Sequence, residues 1–177
     1  RAVAEKCVAD ISNAAQILTE TFLKDGKILL CGNGGSAADC QHIAAEFVSV
    51  LSQDFVRPGL AAIALTTDTS FITANANDFG FDGIFERQVQ ALGRSGDVLI
   101  GISTSGNSQN VWQAINLANE CGIKTIALTG ETGGKIAEVA NVTIKVPSTN
   151  TQFIQESHIA IGHILCELAE IGVFKQG

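Results

Sequence analysis

Positive charge is scarce in this 177-residue chain. Eleven Lys and Arg face 18 Asp and Glu, giving a net charge of −7 and a pI near 4.8. That balance excludes a basic surface for nucleic acid or an anionic membrane. It leaves room for one small anion in a neutral pocket. There is no C-x-x-C. The five cysteines, Cys7, Cys31, Cys40, Cys121 and Cys166, are odd in number and widely spaced. This excludes a disulfide frame or a thiolate zinc site and points to reduced thiols in a cytoplasmic protein. No uninterrupted apolar run reaches the roughly 18–20 residues of a membrane span, and no signal-peptide pattern opens the chain. The G-x-x-x-x-G-K-[ST] loop of nucleotide triphosphatases is also missing. What remains is 46% hydrophobic and 16% charged, the make-up of one globular domain with a full core.

Periodicity predicts an amphipathic helix over 2–24, carried by Val3, Cys7, Ile11, Ala15, Leu18 and Phe22 and ended by Gly26. Short apolar runs at 27–31, 60–65, 97–102, 124–130 and 141–146 predict five strands. Helices are expected at 37–50, 69–76, 83–92, 111–121 and 151–171. Strands that alternate with helices and read as continuous apolar runs belong to a parallel sheet covered on both faces. The expected fold is one doubly wound α/β domain, in which ligands bind beyond the carboxyl ends of strands.

Two polar loops stand at such ends. The first, Gly32-Asn33-Gly34-Gly35-Ser36-Ala37, fits G-x-G-x-x-A. The second strand ends in Leu65-Thr66-Thr67 without the acid a dinucleotide ribose requires, so no nucleotide cofactor is expected. A tight glycine turn without a ligand is the alternative. The second loop, Ser103-Thr104-Ser105-Gly106-Asn107-Ser108, follows a buried strand and opens a helix. Free N–H groups, the helix dipole and neutral hydroxyls suit a phosphate ester. The plainer reading makes Ser108 a helix cap and the rest a turn.

Three histidines exist: His42, His158 and His163. His42 and Glu46 lie four apart, on one helix face. Gln155 and His163 are eight apart, about 80° round the last helix, whereas His158 is turned about 140° from His163 and points elsewhere. Two imidazoles, a carboxylate and a carboxamide could hold zinc or another divalent ion. A surface ion pair and core histidines are the alternatives. A carboxylate beside a phosphate pocket could also move a proton between two carbons of a sugar phosphate, with histidine as its partner.

The segments CGNGGSAAD, QHIAAEF, TTDTS, ANDFGF, GDVLIGISTSGNS, LTGETGGK and IQESHIAIGHIL, in this order from about Lys27 to Leu168, together resemble the sedoheptulose 7-phosphate (phosphoheptose) isomerases of the SIS, or sugar isomerase, domain family. The resemblance implies a five-stranded parallel sheet and a cytoplasmic homotetramer with sites at subunit contacts. It implies a further N-terminal helix before the first one here. The implied reaction converts sedoheptulose 7-phosphate to D-glycero-D-manno-heptose 7-phosphate, for the heptose of lipopolysaccharide. By motif position, Ser103, Thr104, Ser105 and Ser108 would hold the phosphate. Asn33, Gly34, Gly35, Ser36, Asn77, Asp78 and Gln155 would line the sugar, with Glu46 as base and His163 as its acid–base partner. His42, Glu46, Gln155 and His163 would be zinc ligands.

The chain departs from the family pattern in two places. Val50 stands where an Arg is expected after the catalytic Glu, and Gln152-Phe153 replaces a charged step before Ile154-Gln155-Glu156. An isomerase of another sugar phosphate, and a non-catalytic binding protein of the DnaA-initiator-associating type on the same fold, are the competing functions.

Overall fold

Val, Ile and Leu fill both sides of a pleated ribbon, and the five apolar runs accordingly become strands buried on two faces. They are β1 (Ile28–Gly32), β2 (Ala62–Ala64), β3 (Val98–Ser103), β4 (Lys124–Thr129) and β5 (Val142–Lys145). All pair in parallel, in the order β2-β1-β3-β4-β5. The computed structural model of the chain describes residues 2–175. Among the described residues, seven helices connect and cover the strands: α1 (Ala2–Lys6), α2 (Val8–Phe22), α3 (Gly35–Val48), α4 (Thr69–Phe79), α5 (Ile84–Leu92), α6 (Gln109–Glu120) and α7 (Thr151–Phe174). Short 3-10 turns occupy Phe81–Gly83 and Lys135–Glu138. This is the doubly wound α/β architecture that the alternation of elements predicts.

Alternate strand residues divide the core. Ile28, Leu30, Val98, Ile100 and Ile102 pack beneath α2, α3 and α7. Leu29, Cys31, Leu99 and Ala127 face the opposite way, toward α5 and α6. After β1 the chain crosses to β2 on one side, then returns to β3 on the other. The crevice beyond β1 and β3 is therefore the topological switch point, where this class of sheet binds ligands.

The expected single helix over 2–24 is two. The break falls at Cys7 (φ −107°, ψ −3°), whose buried thiol donates to the Lys145 carbonyl at 3.3 Å. The amphipathic stripe runs on through this kink, which is why periodicity misses it. The last helix extends to Phe174. It is long and apolar enough, by length and composition alone, to cross a membrane. Its inner face, including Ile154, His158, Ile161, Leu165 and Ala169, is buried in the core, as in an internal helix of a globular fold. Its other face leaves Ile164, Leu168, Ile171 and Phe174 exposed.

Candidate active site

Register brings the two polar loops together. Gly32, the last residue of β1, pairs with Ile102, one residue before Ser103. Asn33 and Asn110 then join the loops by a reciprocal pair of hydrogen bonds, each side-chain amide donating to the other's oxygen at 2.9 Å. Asn110 is buried in the first turn of α6, and its oxygen also accepts the Val111 N–H at 2.9 Å. Asn110 belongs to no sequence motif that would have singled it out. The Asn33 carboxamide, expected to line the sugar, is engaged with Asn110.

The serine loop is tightly made. Ser103 Oγ lies 3.0 Å from Ser108 Oγ and 3.5 Å from Ser105 Oγ, and the Asn107 N–H donates to Ser105 Oγ at 3.1 Å. Ser108 occupies the N-cap position of α6, yet its side chain caps nothing. The hydroxyl turns into the loop instead, so the plain capping role fails on geometry. Gly106 adopts φ +67°, and a Cβ there would lie 2.0 Å from the Gly133 carbonyl oxygen. Only glycine fits where the loop after β3 presses against the loop after β4. Asn107 Oδ1 accepts the Lys135 N–H at 3.1 Å, and the Gly106 carbonyl accepts the Ile136 N–H at 3.0 Å. The result is a rigid rim of hydroxyls and amide groups at the positive end of α6.

A cleft of about 310 Å³ opens beside this rim, lined by Thr104, Ser105, Gly130, Glu131, Ser148 and Thr149 among others. The last four come from the loops after β4 and β5 and have no role assigned from the sequence, although Gly130 and Glu131 lie in the LTGETGGK segment. A larger hollow of about 510 Å³ lies between α4, α5 and α6, with Asn75, Glu86, Arg87 and Gln113 on its walls. It contains none of the anticipated residues. The smaller cleft is the better chemical site because it lies at the carboxyl ends of β3, β4 and β5, against the serine loop.

Helix α3 starts at Gly35 and carries His42 and Glu46 away from the glycine turn. His42 Nε2 is 3.4 Å from Glu46 Oε1, as the four-residue spacing predicts. From α7, His163 meets His42, with the two Nε2 atoms 2.9 Å apart and the rings edge to face. One imidazole donates and the other accepts. Gln155 also faces α3, for a Cβ on Gly35 would come within 2.5 Å of its Nε2. His42, Glu46, Gln155 and His163 thus all lie at the α3–α7 contact. Two nitrogens on one tetrahedral zinc would be about 3.3 Å apart, slightly more than this hydrogen-bonded pair. Among the described residues, no three His, Cys, Asp or Glu side chains converge closely enough to hold an ion as they stand.

His158 points the other way, as its helical angle predicts. It is fully buried, and its Nε2–H donates to the Thr129 carbonyl at 3.1 Å. Burial lowers its pKa to about 4, with the Thr129 hydrogen bond opposing. Asp39, one turn before His42, is raised by burial, with His42 opposing. Asn77 and Asp78 stand apart. They are exposed at the end of α4, Asn77 donates to Asp78 at 2.8 Å, and neither lines the serine-loop cleft.

A doubly wound parallel sheet with a serine-rich loop at the carboxyl end of β3, and with His42, Glu46 and His163 meeting between α3 and α7, is the architecture that comparison with known proteins places in a family. The SIS domain profile matches residues 1–130, and the chain belongs to that family. Within it, the chain is 53% identical over 171 residues to the phosphoheptose isomerase of Aneurinibacillus thermoaerophilus, covering 97% of this chain and 85% of that one. It is 60% identical over 151 residues to the phosphoheptose isomerase of Aquifex aeolicus, covering 85% and 78%. The structure of the phosphoheptose isomerase from Neisseria gonorrhoeae matches with a TM-score of 0.89 at 49% identity, over 95% of this chain and 89% of that one.

Proposed function

We propose that this chain is an aldose–ketose isomerase that converts sedoheptulose 7-phosphate to D-glycero-D-manno-heptose 7-phosphate. The observation that carries the reading is the meeting of Glu46, His42 and His163 at one α3–α7 contact, in a chain whose serine loop gathers hydroxyls at the start of α6. Ser103, Thr104, Ser105, Ser108 and the α6 amides bind the phosphate. The Gly34-Gly35-Ser36 turn and Gln155 lie along the sugar. Glu46 removes a proton from C1 of the ketose while His163 protonates O2, giving an enediol. Glu46 then returns the proton to C2 as His163 accepts the O1 proton, leaving the aldehyde.

Zinc is the proposed cofactor, held by His42, Glu46, Gln155 and His163. Two imidazoles, a carboxylate and a carboxamide oxygen are donor types that suit it. When bound, the ion would supply Lewis-acid polarisation of the sugar's carbonyl oxygen.

The proposed assembly is a cytoplasmic homotetramer acting in heptose synthesis for lipopolysaccharide. Exposed apolar side chains support association: Phe79 is 81% exposed and Phe153 61%. The distance of Asn77 and Asp78 from their own chain's cleft fits a site completed by a neighbouring subunit. The second reading, an isomerase of a different sugar phosphate, is favoured by the exposed Phe153, two residues from Gln155. A panel of sugar phosphates separates the two.

Replacing Glu46 by Gln tests the mechanism. Turnover should fall by about 10²–10⁴-fold, the range for a lost general base, with the melting temperature little changed. Wild-type turnover in a folded Glu46→Gln protein rejects Glu46 as the base.

A further inference from the structure

We infer that Arg57 and Glu170 are positioning residues for proton transfer, a buried ion pair that locks the end of α3 carrying Glu46 onto the face of α7 carrying His163. The inference rests on the reading of Glu46 and His163 as the groups that move the proton.

The last carbonyls of a helix have no intrahelical donor. At the end of α3, Arg57 supplies them. Its Nη2 donates to the Glu46 carbonyl at 2.9 Å, and its Nη1 donates to Phe47 at 2.6 Å and Ser49 at 2.9 Å. A cation at this helix terminus also meets the negative end of the dipole. The same guanidinium bonds Glu170 Oε1 through Nε at 2.9 Å and Nη2 at 2.5 Å. The Leu51 N–H reaches that oxygen at 3.3 Å, fixing the turn after α3 as well. Arg57 is 7% exposed and Glu170 4%.

On α7, Glu170 lies seven residues after His163, about two turns along one face. Cys166 stands between them. Its buried thiol is raised first by burial, then by the charges of Glu46 and Glu170, with Arg57 opposing. The clamp is therefore bonded directly to the backbone of Glu46 and lies two turns along α7 from His163.

Stability alone is a weak reason for this arrangement. A well-packed apolar pair commonly replaces a buried ion pair at no cost to folding. A lysine could hold the charge but could not fork between several carbonyls and a carboxylate. What the guanidinium adds is a fixed position for the helix end, and a displacement near 1 Å in a catalytic group costs on the order of 10²-fold in rate.

The test compares Arg57→Lys and the double variant Arg57→Met/Glu170→Leu with wild type, each loaded with zinc, using sedoheptulose 7-phosphate and its C1-deuterated form. The expected result is a folded protein whose kcat is lower by about 10–100-fold. KM should stay near the wild-type value because the serine loop is untouched. The deuterium effect on kcat should rise as proton transfer becomes limiting. A folded variant with unchanged kcat and isotope effect overturns the proposal, and failure of both variants to fold assigns the pair to stability and overturns it too. Glu46→Gln, assayed beside them, keeps the two claims apart. If Glu46→Gln turns over normally, the base assignment fails. If it is inactive while the Arg57 variants are unimpaired, the clamp alone fails.

Discussion

Acidification should destabilise this fold through one histidine. His158 is fully buried on the inner side of α7, where Nε2–H donates to the Thr129 carbonyl and Nδ1 has no partner. Protonation would add a charge and an N–H donor with nothing to accept it. Its pKa accordingly drops from 6.5 to about 4. Between those values the unfolded chain binds a proton that the folded chain does not, so stability falls as pH falls. The contribution is intact above about pH 6.5. At pH 5 the loss is about 2 kcal/mol, and below pH 4 it reaches about 3 kcal/mol, taking about 1.4 kcal/mol for each pH unit that separates the folded and unfolded pKa values. Asp39 works against this trend, because its raised pKa favours the protonated folded form in acid. Urea unfolding at pH 7.5 and pH 5 should therefore be compared between wild type and His158→Gln, which retains a donor for Thr129 but does not titrate. The wild type should lose about 2 kcal/mol more than the variant. Equal losses would refute the argument that this imidazole is held neutral by burial.

Other substitutions probe the site. Ser105→Ala removes one hydroxyl from the cradle and should raise KM for the sugar phosphate by roughly 5–30-fold, the equivalent of about 1–2 kcal/mol, with kcat little changed in steady-state assays. Gly106→Ala places a Cβ against the Gly133 carbonyl at positive φ, and chemical denaturation should show a loss of about 2 kcal/mol or more. Gly35→Ala pushes on the side-chain end of Gln155 and not on backbone. It should fold normally yet turn over more slowly, as read by circular dichroism and kcat. Asn110→Ala leaves the Val111 N–H and the Asn33 amide without their partner, and thermal melting should register a cost of about 1–3 kcal/mol.

The parallel sheet is legible in the sequence because each strand is an apolar run with both faces buried. The expected bounds fall close to the observed ones, as with 97–102 against Val98–Ser103. His42 and Glu46 are legible from their four-residue spacing, and the turn of His158 away from His163 from helical angle alone. What escapes is set by tertiary contact. Arg57 and Glu170 are 113 residues apart, and neither belongs to a motif. Asn110 acts only because β1 and β3 are neighbours, which brings Asn33 to it. The Ser108 hydroxyl has two local choices, and the nearby Ser103 decides between them. Cys7 keeps the helical stripe across the break between α1 and α2.

The central claim is proton transfer between C1 and C2 of a ketose phosphate by Glu46. It is tested most directly by a proton NMR time course of the zinc-supplied protein with sedoheptulose 7-phosphate in D₂O, run beside Glu46→Gln. An aldoheptose phosphate that appears with the wild type and not with Glu46→Gln is the predicted result. An unchanged sedoheptulose spectrum over a folded wild-type protein would contradict the account.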